Sequence, residues 1–353
     1  MDSFTFIDLF AGIGGIRIAF ESVGGKCVFS SEYDRFSQLT YKAFFNETPD
    51  FSKIKQTQPP GDITKINPED VRTHDILTGG FPCQPFSLAG VSKKQSLGLP
   101  HGFDDPTQGN LFFYVKEILA AKKPKAFLLE NVKNLISHDH GQTFKVISDV
   151  LDRSGYNWDY RIIDAAGWIP QHRERIYIYG FRKPTGNQKW NIESFPEFKN
   201  LAPPIVRTVN LDQVIEKRVP ARYTLGEKTW ETLLRHKAHH EMIGQGFGYG
   251  LIKKPFKNKT TRTLSARYFK DGAEILIAQK GPRPRRLTPL ECARLMGFPE
   301  EYQKYFSRDP QIPQPVSDTQ AYHQFGNSVA VPVVKEIAAA MVRKLRNVGA
   351  IPE

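Results

Sequence analysis

A cysteine on a short, proline-flanked turn is the residue of this 353-residue chain best suited to nucleophilic chemistry. Cys83 lies between Pro82 and Pro85 in the stretch GFPCQPFS, directly after an apolar run typical of a buried strand. A rigid turn at a strand end would expose the thiolate and hold its direction of attack. The polar neighbours Gln84 and Ser87 favour this interpretation over the alternative of a small, buried apolar side chain.

Two more stretches place charged side chains at strand ends. Glu130 closes the apolar run AFLLEN, where burial would raise its pKa and suit it to act as an acid. Arg173 and Arg175 alternate at the start of another strand pattern, and a guanidinium near a cysteine favours the thiolate. The alternatives are a helix cap or surface carboxylate for Glu130 and two solvated arginines at a strand entrance.

A glycine-rich turn, DLFAGIGG at 8–15, lies between a predicted strand and a predicted helix. Glycines let the backbone approach a ligand, and Glu32 at the end of the next strand could bond the two hydroxyls of a ribose. Together with Asp62, this pattern favours an adenosine-containing cofactor, although glycines that pack a helix on a strand explain the turn as well. The glycines concerned are Gly12, Gly14 and Gly15.

The elements that must position these residues alternate between apolar runs and helical patterns. Such alternation predicts an α/β fold with a doubly wound, mostly parallel sheet, in which ligands bind at the carboxyl ends of the strands. The predicted strands are 4–10, 27–33, 74–80, 126–131 and 175–181, and the predicted helices are 14–23 and 111–121.

The pattern changes after residue 181, where proline, asparagine and basic residues follow without clear periodicity. Residues 224–242 are predicted as a helix, 244–250 as a glycine-rich turn and 261–269 as a strand. Helical patterns return in TPLECARLMGF, with Thr288 as its cap and Pro289 in its first turn, and in a last helix at 332–347.

The positive charge of the chain is concentrated in one segment. The net charge is +12, and residues 182–286 alone carry 22 Lys and Arg against nine Asp and Glu. Residues 1–181 carry 20 against 21, and residues 287–353 carry seven of each. This distribution favours a phosphate-backbone partner for the central segment, the alternative being a well-solvated basic surface.

The length predicts two domains, and the other compositional features point to the cytoplasm. Three scattered cysteines without a C-x-x-C pair indicate neither a disulfide framework nor a cysteine-rich zinc site, and they fit a reducing compartment. No run of about 18 apolar residues predicts a membrane-spanning helix, and the N-terminus does not have the pattern of a signal peptide.

The motifs, taken in order, resemble the DNA (cytosine-5) methyltransferases, and the middle segment is similar to that of Dcm-type bacterial enzymes that methylate within CC…GG sites. The resemblance spans nearly the whole chain. The motifs are FAGIGG, GDI at 61–63, GFPCQPFS, ENV, QHRER at 171–175, RLTPLECARLMGFP at 286–299 and QFGNSVAVP at 324–332.

The resemblance implies a covalent mechanism with S-adenosylmethionine as methyl donor. Cys83 would attack C6 of a flipped cytosine, Glu130 would contact N3 and the exocyclic amine, and Arg175, helped by Arg173, would bond the O2 region. Asn327 and Ser328 would lie in the cofactor pocket, although from spacing alone either could simply cap the last helix. The full implied cofactor set is Phe10, Gly12, Gly14, Gly15, Glu32, Tyr33, Asp62, Ile63, Pro82, Leu111, Asn327 and Ser328.

The resemblance also implies how DNA is held. Residues 1–181 and 320–353 would form the catalytic domain, 182–286 the target-recognition domain and 287–319 a connection that carries the ninth family motif. The loop after Cys83 would close as a lid. The implied DNA contacts are Ser87, Lys93 and Lys94, Gln245 as a candidate to fill the gap left by the flipped base, and the basic residues Arg262 and Arg267.

We therefore expect a site-specific DNA methyltransferase of a bacterial restriction–modification or Dcm-like system. It would act as a nucleoid-associated cytoplasmic monomer on double-stranded DNA, with a cognate endonuclease as a further partner. The alternatives are an RNA cytosine-5 methyltransferase, a catalytically silent DNA-binding protein and, weakest, a nicotinamide oxidoreductase, for which the glycine spacing is wrong.

Overall fold

A six-stranded sheet organises the described part of the chain. The computed structural model describes residues 3–47, 61–82, 111–186, 190–207, 209–245 and 248–352. The strand order is β2-β1-β3-β4-β6-β5, with β1, β2, β3 and β4 parallel and β6 antiparallel to both of its neighbours. The strands are β1 Thr5–Leu9, β2 Lys26–Ser31, β3 Ile76–Gly80, β4 Ala126–Val132, β5 Tyr156–Asp164 and β6 Glu174–Arg182.

Helices cover the two faces of this sheet, and the apolar runs of its central strands follow from that arrangement. Consecutive side chains of a strand point to opposite faces, so Phe6 and Ile7 enter two different cores, as do Leu128 and Leu129. The predicted α/β class with a mostly parallel sheet is confirmed. The helices are α1 Gly15–Glu21, α2 Arg35–Phe45, α3 Phe112–Lys122, α4 Gln142–Asp152, α5 Pro196–Lys199, α6 Leu211–Val214, α7 Glu227–Met242, α8 Pro289–Leu295, α9 Glu300–Gln303, α10 Asp318–Asn327 and α11 Val331–Asn347.

The reversed direction of β6 decides which residues meet at the functional edge. Because β6 runs antiparallel to β4, its first residues lie beside the last residues of β4, and Arg175 is the register partner of Val132. The beginning of β6 therefore shares an edge with the carboxyl ends of β1, β3 and β4. Glu130 and Arg175 come together at this edge.

The remaining predicted elements agree with the structure in part. Thr288 caps α8 with Pro289 in its first turn, as predicted, and the structure adds Glu291, which completes a capping box. The strand predicted at 261–269 is wrong: Thr261 forms one isolated bridge with Gln171, and turns follow, because the polar groups there bond locally or to the main body. Strand β5 was not predicted, since its partly exposed residues do not form a continuous apolar run.

The central basic segment contains little regular structure beyond α7. Among its described residues, strands β7 Leu251–Ile252 and β8 Leu276–Ile277 pair with each other, and Leu225, Leu233 and Leu276 form a small core of their own. The earlier part of the segment instead packs against the main sheet, where Phe198 meets the ring of Tyr179 at 4.5 Å between centroids.

One described stretch, Asp318–Asn347, is long and apolar enough to cross a membrane by length and composition. It comprises α10 and α11, and 72% of its apolar window is buried inside the fold. Val333, Ile337 and Met341 of α11 are fully buried in the main core, as is typical of a core helix in a globular protein.

Candidate active site

A cavity of about 480 Å³ opens at the carboxyl edge of the sheet, where the sequence predicts ligand binding. It is lined by residues from the glycine-rich turn, the ends of β2, β3 and β4, the start of β6, the end of α10 and the residues after it. Of the predicted site residues, those in its wall are Phe10, Gly12, Gly15, Glu32, Tyr33, Pro82, Leu111, Glu130, Arg175, Asn327 and Ser328.

Glu32 is fixed at this wall by backbone donors. Its two carboxylate oxygens accept hydrogen bonds from the N–H groups of Gly12 and Asp34, each at 2.7 Å. Burial raises the pKa of Glu32, and these hydrogen bonds oppose that rise. A carboxylate held in this way keeps lone pairs for a further donor, such as a ribose hydroxyl.

The glycines of the turn have different roles. A Cβ atom on Gly12, whose φ is +55°, would have only the Phe10 carbonyl oxygen nearby, at 4.0 Å, so this side of the turn is open. A Cβ on Gly15 would lie 3.0 Å from Oγ of Ser328, so this glycine lets the turn contact the stretch after α10. Gly14 does not line the cavity; its Cβ would lie 2.3 Å from the ring of Phe45, so it packs α1 on α2.

Asp62 and Ile63 also lie outside the cavity lining. The Asp62 carboxylate accepts hydrogen bonds from the backbone N–H and the hydroxyl of Thr64, at 2.9 and 2.7 Å, and so closes a short turn. Ile63 is buried in the core. The turn nevertheless lies against the wall, since a Cβ on Gly61 would be 1.9 Å from the carbonyl oxygen of Glu32.

An ion pair occupies another part of the cavity wall. Nε of Arg175 lies 3.2 Å from Oε1 of Glu130, and both side chains are largely buried. Burial raises the pKa of Glu130, and the neighbouring Arg175 opposes that rise. The pair presents a carboxyl that can hold a proton beside a fixed guanidinium.

The chain just before Cys83 is held in place by the end of β4. Asn131 donates from Nδ2 to the carbonyl oxygen of Phe81 at 2.8 Å, and Pro82 lines the cavity. Cys83 itself lies outside the described residues. Asn131 was not predicted as a site residue, although it stands in the ENV motif.

Arg173 is placed differently from Arg175. It is 1% exposed and is not among the cavity-lining residues. Its guanidinium donates to the carbonyl oxygens of Leu264 at 3.0 Å and Gly326 at 2.9 Å, and to that of Ser328. Burial lowers its pKa. Arg173 thus ties the basic segment and the end of α10 to the start of β6.

The end of α10 and the residues after it form the remaining wall. Asn327 ends α10 and Ser328 follows it, whereas the cap of α11 is Ala330. Neither Asn327 nor Ser328 therefore caps the last helix, and both line the cavity. His323 and Gln324 line it as well and were not predicted, although Gln324 opens the QFGNSVAVP motif.

The residues predicted to contact DNA lie apart from the cavity or outside the described residues. Gln245 follows α7, and its Oε1 lies 3.0 Å from Nδ1 of His240. Arg262 donates to the carbonyl oxygen of Gly248, and Arg267 is exposed on the turn after Ser265. Ser87, Lys93 and Lys94 lie outside the described residues.

Comparison with known proteins identifies the family. Residues 4–343 match the family model described as C-5 cytosine-specific DNA methylase. The chain is 45% identical to the DNA-cytosine methyltransferase of Escherichia coli (strain K12), over 99% of this chain and 79% of the relative. It is 40% identical to the type II methyltransferase M.HpaII of Haemophilus parainfluenzae, over 98% of this chain and 91% of the relative.

Solved structures agree on the fold. The Dnmt2 methyltransferase of S. pombe superposes with a TM-score of 0.69 at 20% identity, covering 97% of this chain and 99% of that one. The family match and the similar relatives go further than the fold, because they span nearly the whole chain, and the matched residues 4–343 cover the positions of every motif named above. The chain therefore belongs to the C-5 cytosine-specific DNA methylase family, and it is a DNA (cytosine-5) methyltransferase whose family and fold imply the use of S-adenosylmethionine.

Proposed function

We propose that this enzyme methylates a flipped cytosine of double-stranded DNA through a covalent adduct between Cys83 and C6 of the base. The observation that carries the proposal is the Glu130–Arg175 pair, which lies in the wall of the same cavity as Glu32 and Pro82. Pro82 directly precedes Cys83. Groups that could bind a cytosine and groups that could bind an adenosine-containing cofactor thus line one cavity.

The cavity fits S-adenosylmethionine. Its volume of about 480 Å³ is in the range of small-molecule sites. Glu32 would hold the ribose, and the open side of Gly12 would admit the cofactor close to the backbone. When bound, the cofactor supplies an electrophilic methyl group, which C5 of cytosine accepts only after it has become electron-rich.

The side chains of the cavity would produce that electron-rich carbon. Addition of the Cys83 thiolate to C6 breaks the aromaticity of the base and makes C5 enamine-like. Glu130 contacts N3 and the exocyclic amine, where negative charge would otherwise develop, and Arg175 binds the O2 region. After methyl transfer a base removes the C5 proton, the C6–S bond breaks and Cys83 leaves as thiolate. Arg173, whose donors bind three carbonyl oxygens, would help by positioning.

The target carbon cannot be reached inside a duplex, so the cytosine must be flipped out. We propose that residues 182–286 recognise the DNA, that 1–181 with 320–353 catalyse and that 287–319 connect them. Ser87, Lys93, Lys94, Gln245, Arg262 and Arg267 would contact the DNA.

The similar relatives support a role in restriction–modification. Besides M.HpaII, the type II methyltransferase M.SsoII of Shigella sonnei is 45% identical, over 97% of this chain and 81% of the relative. We propose that the enzyme acts as a monomer in the cytoplasm, at the nucleoid, and protects sites that a cognate endonuclease would cut.

A mechanism-based trap tests the proposal. DNA carrying 5-fluorocytosine at the target should form a denaturant-resistant adduct in the presence of S-adenosylmethionine, since fluorine blocks removal of the C5 substituent. The Cys83→Ser variant should bind the same DNA without forming the adduct. Adducts that persist in Cys83→Ser would refute the role of Cys83, and methyl transfer to tRNA but not DNA would favour the RNA alternative.

A further inference from the structure

The cavity wall contains a buried amide that none of the roles above uses. Gln324 lies in the last turns of α10, lines the cavity and is 4% exposed. Three residues later, Asn327 and Ser328 complete the same wall. Gln324 therefore lies in the same part of the wall as Asn327 and Ser328, the two motif residues that the family resemblance places in the cofactor pocket.

One end of this amide is bonded and the other is not. The hydroxyl of Thr40, on α2, donates to Oε1 of Gln324 at 2.9 Å. Nε2 of Gln324 is buried and finds no hydrogen-bond partner among the residues that the structure describes. Turning the amide over would leave its other end unpaired instead, because a single hydroxyl can satisfy only one end.

Such an arrangement is unfavourable in the protein alone. A buried donor without a partner costs about 1–3 kcal/mol, and most buried polar groups in folded proteins are paired. The terminal torsion of glutamine is soft and the residue lines the cavity, so the amide can turn its N–H toward a bound ligand. A ligand acceptor at this wall would therefore relieve an existing cost.

The charges of the cavity indicate which part of the cofactor that acceptor is. Asp34 lines the cavity and has no role in holding the ribose or the base, so its carboxylate suits the cationic ammonium of S-adenosylmethionine. The carboxylate of the cofactor needs a donor, and Arg175 already pairs with Glu130, while Nδ2 of Asn131 is bonded to a carbonyl. The amide of Gln324 is the buried donor in this wall that lacks a partner among the described residues.

We propose that Gln324 binds the α-carboxylate of the cofactor through Nε2, with Thr40 holding the amide in place. This inference rests on the proposed use of S-adenosylmethionine. Loss of a hydrogen bond to a charged group should weaken binding about tenfold or more. A ligand that lacks the carboxylate should bind with similar affinity whether or not the Gln324 amide is present.

The test compares S-adenosylmethionine with its decarboxylated analogue, which differs only in that group, by calorimetric titration of the full-length protein. Gln324→Met has nearly the same shape without the amide, and it should weaken S-adenosylmethionine about tenfold or more but the analogue less than twofold. Thr40→Val should weaken the binding of S-adenosylmethionine by a smaller factor and again leave the binding of the analogue nearly unchanged. If Gln324→Met does not fold, the Thr40→Val variant provides the test.

The outcomes separate this inference from the proposed function. Equal weakening of both ligands, or no weakening, would overturn the role of Gln324 while wild-type binding and methyl transfer remain intact. If the wild-type protein binds neither ligand, the proposed cofactor is wrong and the inference falls with it.

Discussion

The cavity and the basic segment are built in opposite ways. Glu130 stands near the end of a seven-residue strand that is buried at six positions. Arg262 lies in a loop and Arg267 on a turn, and in the described part of their segment β7 and β8 have two residues each. Bond formation requires atoms held within fractions of an ångström, whereas a surface that follows DNA requires charge and adjustable loops.

The two regions also differ in net charge. Residues 1–181 carry 20 basic against 21 acidic residues, whereas 182–286 carry 22 against nine. An excess of positive charge near the cavity would lower the pKa of groups such as Glu130, and the near-neutral residues 1–181 add no such excess. The comparison predicts that chemistry and DNA affinity can be damaged separately.

Buried joints connect the two regions. Arg173 donates to Leu264 of the basic segment and to Gly326 beside the cavity. At the end of the segment, Glu291 of α8 accepts from Arg285 at 2.7 and 2.8 Å, and it is fully buried. Changes at these joints should affect both regions at once.

The largest effect is expected for Glu130→Gln, which alters the chemistry alone. Methyl transfer should fall about 10²- to 10⁴-fold, because the amide cannot exchange a proton with the base. Burial raises the pKa of Glu130, so its carboxyl stays protonated to higher pH than an exposed one, and the wild-type rate should decline as pH rises through that pKa. When the single-turnover methylation rate is measured against pH, the variant should not show this decline at high pH.

DNA affinity serves as the control for Glu130→Gln. It should stay within about twofold of the wild-type value in filter binding at fixed salt, since loss of one group inside the cavity leaves the phosphate contacts intact. A declining limb that persists unchanged in the variant would assign the titration to another group.

The next effect is expected at a joint. Glu291→Gln would leave the Arg285 guanidinium buried without its counter-charge and should lower the free energy of unfolding by about 3–5 kcal/mol. The same substitution at the exposed pair of Glu117 and Lys116 is a matched control, expected to cost less than about 1 kcal/mol. Urea denaturation measures both, and equal losses would show that Glu291 is not a joint.

The smallest effect is expected in the basic segment. Arg267→Ala should reduce the slope of log affinity against log salt by about 1, as loss of one phosphate contact does. Arg262→Ala should do the same and also release the turn at Gly248. Affinity for S-adenosylmethionine should not change in either variant.

A matched charge removal separates position from net charge. Arg153→Ala removes the same charge from an exposed position after α4, in the near-neutral region. Its salt slope should equal that of the wild type. If all three variants share one slope, the basic segment has no special role in DNA binding.

Much of the site could be predicted because its motifs are local. The apolar runs of β1, β3 and β4, the glycine turn and the cap at Thr288 each depend on a few consecutive residues. The division of roles within a motif could not be predicted. Gly14 and Gly15 are neighbours, yet one packs on Phe45 and the other on Ser328, and only the packing of distant helices distinguishes them.

The sequence by itself determined the family, the strand–helix alternation, the location of the charge and the set of motifs, because hydrophobic periodicity and backbone preferences act over short stretches. Only the tertiary structure decided that β6 runs antiparallel and brings Arg175 to Glu130, and that Arg173 reaches Leu264 across 91 positions. It also brought Gln324 to Thr40, 284 positions away. Such pairings arise from how whole elements bury their apolar faces against one another, which no local pattern encodes.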